Sequence, residues 1–420
     1  MHTSVIAIFA LLLAVAAFNL GLGLQATLLG VRAGLEGFDL NAVGIVMSAN
    51  YLGFILGSLL SPKIVARVGH IRAFAVMAVM ASSVTVLHAM FLAPGPWIVL
   101  RAITGFSYAG LCMVAESWLN QRAVNADRGI MLSLYMGATL AASAAGQLLL
   151  NIWPPTGFEP FILVSIILSL SLVPVALSTS PAPPLSPSPP MPIRALFRAS
   201  PVGVVGCFVT GLLYSAIGGL GAVFAQSIGL SIFEISIFMM LIVVGGTAAL
   251  WPFGWLSDRI DRRAVVAGLS LAVAITGGAI IVAVSASGST LLLFVLATLY
   301  GAAAMPIYGV AVAHANDKLA HDQYVSASST LLLCYGIGAV FGPVSASQAM
   351  VWLGPAGLFT FIATIGAVAA LFVLLRKIQR PATSDAGKGV FVATPVTTPA
   401  ALGLAPLANE GDPGEAEGRR

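Results

Sequence analysis

Polar side chains are scarce in this chain, and the few that interrupt its apolar runs are the residues that could carry chemistry. Of the 420 residues, 59% are hydrophobic and only 8% are charged. A polar group in apolar surroundings is costly unless it is hydrogen-bonded, so these residues either link helices or contact a bound solute. We predict a cavity lined by amides, phenols and one guanidinium: Asn19, Gln25, Asn50, Tyr51, Arg101, Tyr108, Gln147, Tyr214, Tyr300 and Tyr308. This mixture suits a small, polar or weakly anionic solute.

Arg101 is the charged member of that set and lies inside an apolar run. Gly105, Tyr108 and Cys112 follow it at i+4, i+7 and i+11, the spacing of one helix face. We expect this face to line a cleft, where Arg101 offers a fixed positive charge to an anionic group. The alternative is an arginine that reaches out to the membrane surface.

A second group of polar residues lies where apolar runs meet charged loops. Glu116 is near the end of one run, and His314 holds the corresponding place in a later run. We expect Glu116 to pair with Arg67 or Arg72 and to act as a gate element when the pair breaks. His314 is also a candidate proton carrier, because the reference pKa of histidine is roughly 6.5. Charges that only reach the membrane surface from helix ends are the alternative.

Asp317 is an acidic member of the same group. We expect it to pair with Arg259 or Arg263 and to form a second gate element. The alternative is again a solvated charge at a helix end.

No residue pattern in the chain indicates catalysis or a metal centre. Cys112, Cys207 and Cys334 lie in apolar runs without C-x-x-C spacing, which favours buried thiols over a zinc site or a disulfide. The motifs H-E-x-x-H, G-x-S-x-G and G-x-x-x-x-G-K-[ST] are absent from the sequence. We therefore expect no enzyme, no catalytic residue, no metal, no cofactor and no ATP-driven step. The composition also excludes a nucleic-acid binder.

Membrane-crossing helices must position these residues, because the mean hydropathy is +1.00. A helix of about 20 apolar residues crosses the hydrocarbon core and satisfies its own backbone amides. Charges and clusters of Pro, Gly and Ser cut the chain into twelve such segments, with tight turns expected at residues 285–290 and 352–357. The predicted fold class is an all-α integral membrane protein with twelve transmembrane helices.

The basic residues predict how these helices are oriented. With the N-terminus inside, 17 of the 19 lysines and arginines fall on the cytoplasmic side, and Arg32 (on an external loop) and Arg101 are the exceptions. Both termini are therefore expected to be cytoplasmic.

Two segments interrupt or follow the predicted helices. Residues 180–200 contain the run P-A-P-P-L-S-P-S-P-P-M-P, which cannot sustain a helix and predicts a cytoplasmic linker. It separates a six-helix bundle at residues 1–179 from another at residues 201–379. Residues 380–420 are rich in Pro, Gly, Ala and Thr and predict a disordered cytoplasmic tail.

The two halves carry related features at similar positions. P-K-I-V-A-R-V-G-H-I-R at residues 62–72 corresponds to G-W-L-S-D-R-I-D-R-R at residues 254–263, and V-A-E at 114–116 is echoed by V-A-H at 312–314. Tyr135 and Tyr335 each open a run of small residues. Parallel repeats of this kind imply two pseudo-symmetric bundles with a binding site between them near the midplane.

These motifs resemble those of a known family. Residues 254–263 fit G-x-x-x-D-R-x-x-R-R and resemble the loop motif of the major facilitator superfamily (MFS). R-A-I-T-G-F-S-Y-A at residues 101–109 resembles its fourth-helix motif, R-x-x-x-G-x-x-x-[GA]. E-S-W-L-N at 116–120 and A-H-A-N-D at 313–317 are similar to the YcaD-like bacterial group. The resemblance covers about residues 4–378.

The sequence departs from the superfamily pattern in its first half. Pro62 and Ala66 stand where the loop motif has Gly and Asp, and Gln147 follows Gly146 where proton antiporters have Pro. The resemblance implies that Asp258 caps the helix starting near residue 129 and latches the inside closed, since a carboxylate is stabilised at a helix N-terminus. Because Ala66 cannot do the same in the other half, the latch should be lopsided.

The resemblance also implies a function. It is that of a secondary transporter, a symporter or antiporter, working by alternating access in the bacterial inner membrane. We expect a small-molecule substrate, a lipid bilayer and a coupling proton as partners, and a monomer. The alternative is a membrane assembly factor or sensor of the same fold without transport. A nutrient importer and an exporter would share all of these features.

Overall fold

The computed structural model describes residues 2–122, 128–177, 190–286, 289–320 and 323–379, together with 389, 391–392 and 396–397. For residues 2–7, 122 and 128 it describes the backbone only. The described residues form helices and connecting turns, with no strand among them.

Seven α-helices make up the first half of the molecule. They are α1 (His2–Leu35), α2 (Leu40–Val68), α3 (His70–Met90), α4 (Pro94–Arg122), α5 (Arg128–Leu148), α6 (Glu159–Leu170) and α7 (Leu172–Ala176). The short helices α6 and α7 follow each other directly and together form one span. Asp39 caps α2, because its carboxylate accepts the backbone amides of Asn41 and Ala42. Gly69, with a φ of 86°, makes the turn between α2 and α3.

The second half begins with a short surface helix and repeats the pattern. Its helices are α8 (Ile193–Ala199), α9 (Pro201–Ser227), α10 (Ile232–Arg259), α11 (Arg262–Ser285), α12 (Thr290–Ala304), α13 (Pro306–Asn316), α14 (Tyr324–Leu353) and α15 (Gly357–Gln379). Ser231 and Glu234 form a reciprocal capping box at the start of α10. Pro306 separates α12 from α13, and these two helices form one span.

The predicted count of twelve membrane-crossing helices is confirmed. The described chain contains 11 helical stretches that are long and apolar enough to cross a membrane. The last of them, Tyr324–Gln379, is 56 residues long and holds two helices. A 3-10 turn at Gly354–Ala356 joins them, within the predicted turn at 352–357. Residues 178–189 lie outside the described residues, so the bundle boundaries and the start of the linker stay a prediction. The end of the predicted linker is not a plain connector, because the short helix α8 (Ile193–Ala199) forms there after the proline run.

The two halves pack their helices in the same way. In the first half α2 packs on α4 and α1 on α5, and in the second half α10 packs on α12 and α9 on α14. Glycines bring these pairs into backbone contact, since any side chain there would overlap the backbone of the facing helix. Matching glycines occupy the equivalent crossings: Gly53, Gly105, Gly23 and Gly146 in one half, and Gly245, Gly301, Gly211 and Gly338 in the other. The repeated sequence features therefore correspond to a repeated structure.

The halves touch each other directly at one end of the molecule. We call the end that carries Arg67, Arg72 and Arg259 the basic end, and the end at which α1 stops and α2 starts the opposite end. At the opposite end α1 packs on α9, and α2 on α14. A Cβ on Gly30 would lie 3.1 Å from Ala222, and Gly44 leaves room for Ser347.

Arg32 corrects one detail of the predicted topology. It lies in the last turn of α1 rather than on a loop, and it is 8% exposed. Its guanidinium forms an ion pair with Glu36 at 2.7 Å and donates to the Pro155 carbonyl at 2.9 Å. The helix continues past the apolar run because these two partners satisfy the charge.

Candidate functional site

Five tyrosines converge between the two halves, and we call them the central tyrosines: Tyr51, Tyr108, Tyr214, Tyr308 and Tyr335. The first two come from α2 and α4, and the others from α9, α13 and α14. Tyr51 and Tyr108 lie near Tyr214, and Tyr335 lies near Tyr51 and Tyr308, so side chains of the two halves meet here.

Direct geometry supports the same arrangement. The Tyr51 hydroxyl would lie 3.4 Å from a Cβ on Gly218 of α9. The rings of Tyr308 and Tyr335 meet edge to face at 5.7 Å between centroids. The centre of the molecule is therefore lined by phenols from both bundles, which offer hydrogen bonds and aromatic faces together.

Arg101 lies beside this group. It is 7% exposed, and its Nε has no hydrogen-bond partner within the described part of the chain. The Tyr51 phenol lies close enough to act on it electrostatically, and no described carboxylate forms an ion pair with it. The Arg101 guanidinium thus lies in the interior without a counter-charge among the described residues, and its place on a cleft stays a prediction.

Three predicted cavity amides instead bind the helices themselves, two of them a neighbouring helix and one its own. Gln25 of α1 donates to the Thr85 hydroxyl of α3 at 2.8 Å, and Gln147 of α5 accepts from the Thr27 hydroxyl. Asn19 donates to the Val15 carbonyl of its own helix at 2.9 Å. Buried amides take the nearest available partner, so Gln25 and Gln147 join helices of the first half, and Asn19 binds within α1.

Two other predicted positions also contribute packing. Tyr300 is 1% exposed, points its hydroxyl at the Leu213 carbonyl at 3.4 Å and packs edge to face on Phe359. Tyr300 also borders, with Tyr214, a small apolar pocket between α9, α10 and α12. Asn50 is half-buried, and its backbone carbonyl meets Gly105 at the crossing of α2 and α4.

Glu116 is fully buried in α4 and lies near the central tyrosines. Its carboxylate accepts the Tyr135 hydroxyl of α5 at 2.7 Å. Cys112, one turn earlier, interacts with the hydroxyls of Tyr108 and Tyr135. The cavity prediction missed Tyr135 and Tyr335, although their matching places in the two repeats were the signal that could have identified them.

The predicted pairing of Glu116 with Arg67 or Arg72 is not formed. Both arginines are exposed and form no ion pair with any described residue, whereas Glu116 is buried. Glu116 faces Tyr135 because it lies well inside α4, while Arg67 ends α2 at the surface.

Asp317 pairs with a different arginine from those predicted. Its carboxylate lies 3.2 Å from Nε of Arg262, and both side chains are almost fully buried. Arg263 binds Asp261 at 2.8 Å, and Arg259 lies over the Trp255 ring at 3.6 Å. Asp261 caps α11, so it holds Arg263 beside itself and leaves Arg262 to turn towards Asp317.

Burial and the contact with Arg263 act on the pKa of the Asp261 carboxyl in opposite directions. Partial burial alone would raise the pKa, but the hydrogen bonds from Arg263 outweigh burial and lower it. His314 is buried close to the same cluster, where Asp261, Arg263 and Lys318 act on it electrostatically.

Asp258 has two partners that the structure identifies. Its Oδ1 accepts from the Arg262 guanidinium at 3.1 Å and from the backbone amide of Phe391 at 2.8 Å. The predicted capping of α5 involves the neighbourhood of Arg128, whose side chain is outside the described atoms, and stays a prediction.

Five described tail residues are packed against the helices at the basic end: Gly389, Phe391, Val392, Val396 and Thr397. The rest of the predicted disordered tail lies outside the described residues. In the described part of the chain no group of three His, Cys, Asp or Glu residues could hold a metal ion.

Two six-helix halves with a polar centre between them define a multi-pass membrane protein of the transporter class. A family model described as Major Facilitator Superfamily matches residues 4–251 and 203–407. These matches cover most of the chain, and the protein belongs to the Major Facilitator Superfamily.

Individual relatives agree with this assignment. The chain is 26% identical over 341 residues to the "Uncharacterized MFS-type transporter YcaD" of Salmonella enteritidis, covering 81% of this chain and 87% of the relative. Its fold is similar to that of the nucleoside transporter NupG, with a TM-score of 0.74, 13% identity and coverage of 88% and 100% of the two chains. A D-xylose-proton symporter gives a TM-score of 0.73 at 15% identity, with coverage of 90% and 98%. The family and these folds support a secondary transporter.

Proposed function

We propose that the protein is a secondary active transporter that moves a small polar or weakly anionic organic solute by alternating access. The observation that carries the proposal is the buried Arg101, whose Nε is unpartnered and which has no counter-charge among the described residues. It lies beside phenols that both halves contribute. A solute bound there would contact both bundles, which is what alternating access needs.

The chemistry of this centre selects the class of solute. A buried charge without a partner is costly, and an anionic group on the solute removes that cost. The tyrosine rings add flat apolar faces and hydroxyl groups, which favour a solute with an aromatic or otherwise planar part. The named structural neighbours transport nucleosides and xylose, which are likewise small polar solutes.

The orientation and energy source are part of the same proposal. The excess of lysine and arginine at the basic end supports a cytoplasmic position for that end in the inner membrane, with both termini inside. A proton is the candidate coupling ion, and His314 is its candidate carrier because its imidazole can bind and release a proton and lies buried beside the charged cluster of Asp261 and Arg263. The monomer is the proposed functional unit.

The test compares solute fluxes in cells that overproduce the protein with fluxes in cells that lack it. Untargeted metabolite profiling identifies solutes whose uptake or efflux depends on the protein, and Arg101→Ala is then assayed for each. We expect that substitution to lower the flux at least about tenfold, because hydrogen bonds to charged groups are worth enough for that factor.

The matched control is Arg72→Ala, which removes an exposed arginine without an ion pair and should leave the flux unchanged. Equal fluxes for Arg101→Ala and the parent would refute the assigned role of Arg101. A loss of cellular function on changing the tail, with no effect of cavity substitutions, would favour the non-transporting assembly factor or sensor.

A further inference from the structure

The described tail residues occupy a defined site at the basic end, between the two halves. The site offers two hydrogen-bond acceptors and one donor to the backbone of the tail. Asp317 accepts the Gly389 amide at 3.1 Å, Asp258 accepts the Phe391 amide at 2.8 Å, and Arg262 donates to the Gly389 carbonyl. Three groups of the second half thus bind the main chain of the tail.

The side chain of Phe391 has its own place in this site. A Cβ on Gly254 would overlap the Phe391 ring, and a Cβ on Gly309 would lie 3.1 Å from its far edge. The two glycines come from α10 and α13, so the ring rests where two helices both lack a side chain. Gly254 is also the first residue of the G-x-x-x-D-R-x-x-R-R motif, whose Asp258 and Arg262 bind the same segment.

Thr397 carries the tail across to the first half. It is 3% exposed, and its hydroxyl donates to the buried carboxylate of Glu116 in α4. Val396 packs on the apolar cluster that contains Tyr308, Tyr335 and Cys334. The tail therefore reaches the level of the central tyrosines and contacts both halves at the end where they would have to part.

We propose that these tail residues are an intramolecular ligand of the site between the two halves at the basic end, which we call the mouth, and that the mouth is a binding site for a peptide segment. The ligand is the chain's own tail, recognised by two carboxylates, one guanidinium and a glycine-lined place for an aromatic ring. A solute that leaves or enters through this mouth must displace the tail, so the tail inhibits transport. The inhibition, though not the binding, rests on the proposed function.

Binding of the tail is tested without any substrate, by thiol labelling of the full-length protein. Val392→Cys places the thiol in the tail itself, at a side chain that packs against the helices, so no bulk is added beside the Phe391 ring. Its reaction with a water-soluble maleimide is compared with and without the tail substitutions Phe391→Ala and Thr397→Val. The three native cysteines are buried, and their background is measured on the parent chain.

We expect labelling to accelerate by about tenfold or more when both tail contacts are removed. The Phe391 ring is an apolar anchor and Thr397 forms a hydrogen bond to a carboxylate, and losing both lowers the bound fraction of the tail by a factor of that size. Thr398→Val is the matched control, because it makes the same change at a residue to which the proposal assigns no contact. Labelling at equal rates in all variants would overturn the bound tail.

A cross-link gives an independent readout. Oxidation of the pair Glu116→Cys and Thr397→Cys should join the two positions within one chain, which peptide mass spectrometry detects. Absence of the intramolecular link under conditions that oxidise exposed thiols would overturn the contact between the tail and α4.

Inhibition is tested last, on any solute that the protein moves. Phe391→Ala with Thr397→Val should raise the flux several-fold, whereas Arg101→Ala lowers it. A bound tail whose removal leaves the flux unchanged would refute inhibition, and a protein that moves no solute would refute the proposed function while the labelling result stands.

Discussion

The two copies of the basic-end loop have the same place in their repeats but very different surroundings. In the first half, α2 runs through Pro62 to Val68, and Arg67 and Arg72 are exposed without an ion pair. In the second half, Arg262 is 2% exposed and lies between Asp258 and Asp317.

The difference follows from single residues. Ala66 stands where the second copy has Asp258, and His70 stands where it has Arg262, so the first copy lacks both members of that ion pair. In the second copy Asp261 caps α11 and fixes Arg263, and this directs Arg262 inward. One copy thus remains a charged surface, while the other becomes a buried network that also binds the tail.

The largest effect is expected from Arg262→Ala. It removes the ion-pair partner of Asp317, whose side chain is only 3% exposed. Breaking a buried pair from one side costs roughly 3 kcal/mol or more, so the unfolding temperature in detergent should fall clearly. Arg67→Ala, the change in the exposed copy, should alter stability by less than about 0.5 kcal/mol. Equal shifts for the two variants would contradict the comparison.

Gly254→Ala should release the tail with little effect on the helices. The added methyl group overlaps the Phe391 ring, and the tail gives way more easily than α10. Cleavage by chymotrypsin after Phe391 should then become several-fold faster. Gly268→Ala, in α11, meets no neighbouring atom within 4 Å and should leave the cleavage rate unchanged. A rate that does not differ between the two variants would place the ring elsewhere.

Asp261→Asn should reduce stability slightly and change its dependence on pH. The Asp261 pKa is lowered in the folded protein, so its contribution is present above the unfolded pKa and is lost as the pH falls through the folded value. Asparagine still caps a helix, so the expected loss at neutral pH is about 0.5 kcal/mol after allowing for solvent screening. Thermal unfolding between neutral and acidic pH measures this. An unchanged pH profile would show that the charge of Asp261 does not matter.

The smallest effect is expected from Ala66→Asp, which restores the missing acid in the first copy. Its neighbours in sequence are Arg67, at the surface end of α2, and His70, the first residue of α3. An ion pair with Arg67 at the surface would contribute less than about 1 kcal/mol. Unfolding measurements should therefore resemble those of the parent. A large gain in stability would mean that the acid alone separates the two copies.

The helices could be predicted from the sequence because the membrane allows few solutions. Backbone amides must pair within each segment, so apolar length and charge position locate twelve spans. Gly105 and Gly301 hold equivalent places in the two repeats. Each lacks a side chain where two helices come into backbone contact.

The partners of individual side chains could not be predicted so well. Gln25 and Gln147 are polar residues in apolar runs, like Arg101, but they bind Thr85 and Thr27 because of how α1 is rotated. Arg262 and Arg263 are adjacent, and a turn of about 100° along the helix decides which one meets Asp317. The tail contacts depend on a mouth that exists only after both halves have folded, and the composition of the tail does not reveal them.

The glycine crossings between α2 and α4, and between α10 and α12, have a consequence for motion. Backbone meets backbone at Gly53 and Gly245, so no layer of side chains is available there to repack when the protein changes shape. We expect that α2 does not slide on α4, nor α10 on α12, so that bending concentrates in the segments outside these two helix pairs. Amide hydrogen exchange should accordingly be slowest along these four helices in every conformation that the protein visits.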